Sequence, residues 1–233
     1  MTARRAAAER SPSVAEAFAE RAVRREGDRE LPLGPKARRT RAAILEAAAR
    51  LFSEYGYQGT AVGDVAAAAG VSLGTVYQYF RDRSDLVAAL LQASVTTMLD
   101  RADTAWRASE GSDGLFRVLV NFVSSYAEHA AMSEVWEEVS HVDEDLAELR
   151  RTLTRVFEGT VAREVRRAGR AGLVRDDVDA DLAARALAGM VDRFCYLTYV
   201  FDPPTNGEPS PEEAAGLLTK LWASAIGMTT ELA

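Results

Sequence analysis

The sequence contains few of the residues that form covalent or metal-bound sites. Of its 233 residues, one is a cysteine and two are histidines. The single cysteine, Cys195, excludes an intramolecular disulfide and a cysteine-cluster metal site, and we expect it to be an inert buried thiol rather than a redox switch. His129 and His141 have no third ligand at metal-binding spacing. The sequence therefore predicts neither a metal nor a cofactor.

Long hydrophobic runs and catalytic motifs are also missing from the sequence. No apolar stretch approaches the roughly 20 residues that span a bilayer, and the charged N-terminus has no apolar signal-peptide core. The chain has no phosphate-binding loop, and no serine or cysteine nucleophile stands near a histidine at a recognisable spacing. We therefore expect a cytoplasmic protein that has no membrane partner and is not an enzyme.

The charge of the chain is unevenly distributed. The net charge of −7 is unusual for a protein that binds nucleic acid. However, residues 1–90 contain 14 Lys and Arg against 11 Asp and Glu, a balance of +3, whereas residues 91–233 contain 14 against 24, a balance of −10. A basic N-terminal part followed by an acidic remainder is expected when only one domain contacts phosphate.

The composition predicts an all-α fold, because 48% of the residues are apolar, alanine and leucine are frequent, and strand-forming runs are few. Glycine, proline and capping residues set the expected helix ends. Residues 111–114 are predicted to form a break, and Ser133 is predicted to cap a short helix. The predicted helices cover residues 36–55, 62–69, 73–80, 84–107, 115–130, 133–140, 143–170, 180–201 and 211–228.

Residues 60–86 predict two short helices around a tight turn, followed by the start of a third helix. Gly70 ends the first helix, since glycine adopts the left-handed conformation at little cost. Ser72 is placed to cap the second helix by accepting a backbone N–H. Two short helices joined by a glycine-containing turn form a helix-turn-helix, whose second helix enters the major groove of DNA.

The outward face of the second helix has the chemistry that DNA binding requires. Gly74 has no side chain, so the backbone can approach a sugar-phosphate strand closely. The hydroxyls of Thr75, Tyr77 and Tyr79 can donate to phosphate oxygens, while Gln78 can pair with a base edge. The alternative interpretation is a small helical core that carries two ordinary tyrosines.

Arg83 stands where the third helix begins, and its charge together with the N-terminal amides of that helix favours a phosphate. Basic residues before the motif, with Lys36 as the first, are also close enough to meet phosphates. The predicted DNA-contacting residues are Lys36, Thr60, Ser72, Leu73, Gly74, Thr75, Tyr77, Gln78, Tyr79 and Arg83.

The segments GYQGTAVGDVAAAAG and AGVSLGTVYQYFRDRSDL resemble the signature of the TetR family of transcriptional regulators, over residues 41–90. The resemblance implies an all-helical homodimer with an N-terminal DNA-binding domain and a larger C-terminal domain that binds an inducer and dimerises. The sequence departs from the family pattern at Ala61, where a threonine commonly caps the first motif helix, and at Gly63, where an arginine often contacts a base. We expect Thr60 to take over the cap.

The expected architecture is an N-terminal three-helix helix-turn-helix domain followed by a C-terminal helical bundle. Residues 36–83 form the DNA-binding domain, and residues 84–233 form the ligand-binding and dimerisation domain. Residues 1–35 are an N-terminal extension that is mixed in charge and poor in large apolar residues, so we expect it to be flexible or marginally helical. A basic arm that enters the minor groove is the alternative for this extension.

The last two helices are the predicted homodimer interface. Each has apolar residues on more than one face, which a two-fold four-helix bundle would cover. The alternative is that both apolar stripes are core. Ser210 and Glu213 are predicted to form a capping box at the start of the last helix.

A small organic effector is expected to bind between helices of the C-terminal bundle, where apolar side chains mix with a few polar ones. The candidate ligand-binding residues are Phe122, Tyr126, His129, Trp136, Phe157, Met190 and Phe194. The sequence thus favours a ligand-responsive regulator, a repressor that binds a palindromic double-stranded operator and is released by its effector. The alternative is a DNA-binding regulator or architectural protein with no small-molecule ligand.

Overall fold

The computed structural model describes residues 14–24, 34–101, 106–202 and 207–228. Ten α-helices lie in these ranges, together with a 3₁₀ turn at Ala108–Glu110 and a π-helical turn at Leu197–Phe201. No helix in the described ranges is both long and apolar enough to cross a membrane. The helices are α1 Val14–Arg24, α2 Pro35–Tyr55, α3 Val62–Ala68, α4 Leu73–Tyr79, α5 Arg83–Arg101, α6 Gly111–Glu128, α7 Ala130–Val139, α8 Glu144–Arg170, α9 Ala180–Tyr196 and α10 Pro211–Ile226.

The fold is all-α, as predicted, with a helix-turn-helix near the N-terminus and a helical bundle after it. Helix α2 carries Pro35 in its first turn, where a missing N–H costs nothing, and ends at Gly56, whose φ is +70°. Its buried face, which includes Ile44 and Phe52, packs on α3 and α5. The two short helices α3 and α4 alone bury little surface, so α2 supplies the apolar face that the motif needs.

The first of two apolar clusters is centred on α2 to α5 but is completed by helices from elsewhere in the chain. Helices α1, α7 and the N-terminal half of α8 all insert side chains into it. Its buried members from these helices are Ala17, Phe18, Val135, Val139, Leu146 and Leu149. The predicted boundary between residues 83 and 84 therefore does not separate the two clusters.

The second cluster lies among α6, the C-terminal half of α8, α9 and α10. Helix α6 packs along α10, and α8 packs along α9. The Trp222 indole N–H donates to the carbonyl of Leu187 at 3.3 Å, which joins α10 to α9 inside this cluster. This is the helical bundle that the sequence predicted.

Part of the predicted N-terminal extension is a docked helix. In α1 the side chains of Ala17 and Phe18 are buried against the first cluster, and the helix packs on α8. The rest of the extension up to residue 33, which the alternative of a basic minor-groove arm also includes, lies outside the described residues.

The predicted break at residues 111–114 is wrong, because Gly111 starts α6. Gly111 has φ of +60° and follows the 3₁₀ turn, so the change of direction occurs at the first residue of the helix, and residues 112–114 are helical. At Gly114 a Cβ would lie 2.5 Å from the Cβ of Glu110, so this glycine permits a close approach within a helix.

Two helix limits also differ from the prediction. Trp106 and Arg107 are not helical, so the helix expected to run to residue 107 is described only to Arg101. Helix α7 starts at Ala130 instead of being capped by Ser133. The Ser133 hydroxyl donates back to the carbonyl of His129 at 3.4 Å, which is compatible with a helix interior.

The helix predicted to end at residue 201 ends at Tyr196, before the π-helical turn, whereas the capped ends that follow match the prediction. The Asp143 carboxylate caps α8 by accepting from the Leu146 amide at 3.0 Å. Ser210 and Glu213 form the predicted reciprocal capping box, at 3.2 Å and 2.9 Å. Gly227, with φ of +69°, ends α10.

Candidate nucleic-acid interface

The corner between α3 and α4 forms by the local chemistry that the sequence predicted. Gly70 has φ of +65°, and the Val71 amide donates to the Ala66 carbonyl at 3.0 Å. Ser72 is the N-cap of α4, where its hydroxyl accepts from the Thr75 amide at 3.1 Å. These bonds satisfy groups that the two helix ends leave unpaired, so the turn is well determined.

Helix α4 has one buried face and one exposed face. Val76 and Phe80 are buried in the first cluster. The exposed side chains of α4 include Tyr77, at 41% exposure, and Gln78 beside it. Leu73 is also exposed, at 45%. The helix thus presents a mixed polar and apolar surface to solvent.

Gly74 is not required by the packing of the protein itself. A Cβ at this position would meet only the Ser72 hydroxyl, at an ordinary contact distance of 3.8 Å, and its φ is not positive. A glycine costs helix stability relative to alanine, roughly 0.5–1 kcal/mol. A glycine at position 74 leaves room for another molecule to approach the exposed face of α4, which is a physical reason for its presence there.

Three further predicted DNA-contacting residues lie at the corner and make contacts within the protein, whereas a fourth, Lys36, lies on α2. The Thr75 and Ser72 hydroxyls lie 2.9 Å apart, within hydrogen-bond distance. Tyr79 is half-buried, with its ring 6.5 Å from that of Phe80. Lys36 is exposed in the first turn of α2.

Thr60 does not take over the cap of α3. Its side chain is buried, and its hydroxyl donates to the carbonyls of Leu51 at 3.1 Å and Gly56 at 2.9 Å. Ala61 is the N-cap residue, and its amide donates to the Asp64 carboxylate at 3.2 Å. Thr60 therefore joins the end of α2 to the start of α3, and its side chain faces away from the exposed surface.

Arg83 holds the turn between α2 and α3. Its Nη1 donates to the carbonyls of Tyr57 at 2.8 Å and Thr60 at 3.2 Å. The guanidinium carbon lies 4.0 Å from the centroid of the Tyr57 ring, in cation–π contact. Arg83 is half-buried, and the observed bonds are all within the protein. Its contact with a DNA phosphate stays a prediction.

Sequence reasoning missed Glu138 in α7. Its two carboxylate oxygens accept from the backbone amides of Tyr57 at 2.7 Å and Gln58 at 3.0 Å. These residues are about 80 positions apart in the sequence. No local pattern marks such a pair, so a single sequence carries no signal for it.

Four of the seven candidate ligand-binding residues pack against the second cluster, and a fifth, Phe157, stacks on one of them. The Phe122 ring centroid is 6.0 Å from those of both Tyr126 and Phe157. Met190 and Phe194, one turn apart on α9, pack against the same second cluster. Burial raises the pKa of the Tyr126 phenol, which therefore stays protonated.

The other two candidate residues are Trp136 and His129. Trp136 packs against the first cluster. The Nδ1 of His129 lies 2.8 Å from the Ser125 carbonyl, one turn earlier in the chain. Two open grooves lie on the surface, one along α2 and one between α9 and α10, and neither is lined by a candidate ligand-binding residue.

The described residues contain no group of three or more histidine, cysteine or acidic side chains that could hold a metal ion. Cys195 is fully buried in the second cluster. Burial, together with the nearby Asp192 carboxylate, raises the pKa of this thiol to about 12. The thiol is therefore protonated at neutral pH and unreactive in the folded chain.

Two family models match the chain. The model described as bacterial regulatory proteins of the tetR family matches residues 44–90, and the model described as the C-terminal part of BetI-type transcriptional repressors matches residues 117–226. The first match contains the whole of α3 and α4. The second contains the region in which the candidate ligand-binding residues lie.

The curated relatives that match this chain include HTH-type transcriptional regulators and repressors. The HTH-type transcriptional regulator TtgR of Pseudomonas putida is 30% identical over 170 residues, which is 67% of this chain and 79% of that protein. The HTH-type transcriptional repressor KstR2 of Rhodococcus jostii is 28% identical and covers 66% of this chain and 76% of its own. The HTH-type transcriptional regulator AcrR of Shigella flexneri is 44% identical over 59 residues, which is 25% of this chain and 27% of that one.

Solved structures share the fold at low sequence identity. The fatty acid degradation regulator FadR of Bacillus halodurans has a TM-score of 0.66 and 18% identity, and the match covers 85% of this chain and 100% of that one. SmeT, the repressor of the Stenotrophomonas maltophilia multidrug efflux pump SmeDEF, has a TM-score of 0.64 and 23% identity. That match covers 79% of this chain and 89% of SmeT.

Proposed function

This chain belongs to the TetR family of transcriptional regulators, and from that premise we propose that it is a ligand-responsive repressor that binds a palindromic operator as a homodimer and is released by a small organic effector. The observation that carries the DNA-binding part is the exposed face of α4. On this face Tyr77 and Gln78 point to solvent, and Gly74 occupies a position where the packing would accept a larger residue.

In this proposal α4 is the recognition helix. Gln78 reads a base edge in the major groove, where its amide can both donate and accept. The Tyr77 hydroxyl and the exposed Lys36 contact phosphates, which position the helix without reading sequence. Gly74 lets the helix backbone approach the sugar-phosphate strand.

We propose a homodimer for two reasons: a palindromic operator has two half-sites to be read, and α9 and α10 expose apolar side chains. One short helix reads few base pairs, whereas two helices roughly 34–36 Å apart read both halves of a palindrome. Leu182 on α9 is 68% exposed, and Leu217 and Leu221 on α10 are 49% and 46% exposed. Packing of α9 and α10 against their symmetry mates would cover these side chains.

The effector is proposed to bind among Phe122, Tyr126 and Phe157, with Met190 and Phe194 of α9 on the other side. Aromatic rings and a protonated phenol suit a mainly apolar organic molecule that carries a hydrogen-bonding group. Binding there would separate α6, α8 and α9, and so favour a conformation in which the two recognition helices no longer match the operator.

A regulator without a small-molecule ligand is the second candidate. It is favoured by one observation, that most of the candidate ligand-binding residues pack against the buried second cluster, as core side chains do. In this alternative the aromatic group is core, and DNA binding responds to no small molecule.

The proposed DNA contact is tested by replacing Gln78 with alanine. Duplexes selected from a random pool by the parent protein provide the operator, and binding is measured by fluorescence anisotropy. We expect Gln78→Ala to weaken operator binding by about 1–3 kcal/mol and to relax the base preference at one position of each half-site. Gln92→Ala is the control, because Gln92 is exposed on α5, away from α4.

Two results would overturn the proposed DNA contact: a parent protein that selects no duplex at low salt, or a Gln78→Ala variant that keeps the parent's base preference. The same assay tests the effector. Compounds that raise the unfolding temperature are added to the protein–operator complex, and loss of anisotropy identifies an effector. If no compound in an apolar metabolite and drug set shifts the unfolding temperature or displaces the duplex, the ligand-free candidate replaces the proposal.

A further inference from the structure

The turn at residues 56–60, between α2 and the helix-turn-helix, is held from two sides by opposite charges. We call it the interdomain turn. From the C-terminal side, both carboxylate oxygens of Glu138 accept from the amides of Tyr57 and Gln58, at 2.7 Å and 3.0 Å. From the other side, Nη1 of Arg83 donates to the carbonyls of Tyr57 and Thr60. Such charge-assisted bonds are stronger than bonds between neutral groups.

The backbone of the interdomain turn is shaped to admit the Glu138 carboxylate. Gly56 has φ of +70°, and a Cβ at this position would lie 3.0 Å from Oε2 of Glu138. A larger residue would be strained in this conformation and would crowd the carboxylate. The contact therefore depends on a backbone feature of the DNA-binding part and a side chain of the C-terminal part.

Helix α7, which carries Glu138, is anchored by buried side chains. Val135 and Val139 flank Glu138 on the helix, and both are buried in the first cluster beside α2. The Glu138 side chain is half-buried, so solvent screens its bonds less than those of a surface pair. A shift of α7 would therefore carry the carboxylate with it.

Helix α7 also contacts the second cluster. It packs on the π-helical turn Leu197–Phe201 that follows α9. It also follows α6 directly and packs on it, and Tyr126 of the proposed effector region lies in the last turn of α6. The same short helix thus touches the effector region at one point and the interdomain turn at another.

We propose that Glu138 is a positioning residue that fixes the orientation of the helix-turn-helix relative to the C-terminal bundle. Through the Tyr57 and Gln58 amides, it transmits the position of α7 to α3 and α4. The part of this inference that concerns operator binding rests on the proposed function. The part that concerns the turn itself does not.

The first measurement is amide hydrogen exchange at Tyr57 and Gln58 in the full-length protein. Loss of a charged acceptor leaves these amides without their partner, so we expect Glu138→Ala to accelerate their exchange by about tenfold. Glu138→Gln keeps the shape and one acceptor oxygen, so we expect an intermediate acceleration. Glu134→Ala is the matched control, because Glu134 is exposed one turn earlier on the same helix.

The second measurement compares binding to the selected operator with binding to the same duplex after insertion of one central base pair. When both heads are held in fixed orientations, affinity depends steeply on the half-site spacing. We expect Glu138→Ala to reduce the ratio of the two affinities by about fivefold, a typical coupling between distant sites, with a smaller reduction for Glu138→Gln and none for Glu134→Ala.

The results separate the two proposals. If the parent protein binds no duplex, the proposed function fails, while hydrogen exchange still tests the contact. Unchanged exchange in Glu138→Ala would show that the carboxylate does not hold the turn. Faster exchange with an unchanged spacing preference would show that Glu138 only stabilises the turn, which overturns its positioning role. If Glu138→Ala does not fold, Glu138→Gln decides both points.

Discussion

At the scale of single residues, Arg83 has structural contacts that the sequence did not reveal, beside the phosphate contact that the sequence predicts. Its guanidinium donates to three carbonyls of the interdomain turn and stacks on the Tyr57 ring. Lysine carries the same charge but has neither the planar fork nor the stacking face. The substitution Arg83→Lys therefore separates the structural contacts from the charge that a phosphate would meet.

We expect Arg83→Lys to lower the free energy of unfolding by about 1–2 kcal/mol, because bonds to the turn carbonyls are lost. The salt dependence of operator binding should be retained, whereas Arg83→Ala should flatten it. Chemical denaturation and salt titration of the selected operator measure the two effects. Arg50→Lys, at an exposed position of α2, is the control. Parent-like stability of Arg83→Lys would contradict the structural role.

Residues whose partners are close in sequence were predictable. The roles of Gly70 and Ser72 follow from bonds that reach three to five residues along the chain. Thr60 was misjudged because its hydroxyl bonds to Leu51, nine residues earlier, in place of capping the next helix. The contacts of Glu138 span about 80 residues. Only the folded chain reveals them.

At the scale of helices, the capping box of α10 offers a direct test of stability. Ser210 satisfies the Glu213 amide, and the Glu213 carboxylate satisfies the Ser210 amide. Substitution of an N-cap serine by alanine leaves one of these donors without its partner, so we expect Ser210→Ala to reduce the free energy of unfolding by about 1 kcal/mol. Thermal unfolding followed by circular dichroism measures the change.

Ser224→Ala is the matched control for this helix, because Ser224 is exposed near its C-terminal end. Alanine favours a helix interior, so this substitution should leave stability equal or slightly higher. Equal unfolding temperatures for the two variants would show that the box contributes nothing to the fold.

The helices were predicted well where caps and apolar periodicity agreed, as in α8 and α10. They were predicted wrongly where a glycine lies inside a helix and does not end it. In residues 111–114 the sequence cannot distinguish a glycine that breaks a helix from one that permits a close approach, since Gly114 admits the Glu110 side chain. That distinction depends on what lies beside the helix.

At the scale of the whole molecule, the exposed apolar residues of α9 and α10 predict a dimer that one substitution should disrupt. In a two-fold interface Leu217→Glu would bury an uncompensated charge twice, so we expect dissociation to become easier by about 2–5 kcal/mol. Sedimentation equilibrium measures the change. Operator affinity should fall in parallel, because a monomer presents one recognition helix.

Val142→Glu is the control for this experiment. Val142 is 53% exposed, between α7 and α8, so the control adds the same charge at an exposed apolar site outside α9 and α10. A Leu217→Glu variant that sediments like the parent would place the dimer contact on another surface.

Helix α7 and the start of α8 contribute side chains to the first apolar cluster. This limits how the DNA-binding part can be exchanged between relatives. Grafting the first 83 residues onto a relative's bundle would bring foreign side chains against Ile44 and Phe52 in place of Val135, Val139, Leu146 and Leu149. A chimaera that exchanges operator preference should therefore carry these two helix segments together with the head. In this protein the exchangeable module is not a continuous stretch of chain.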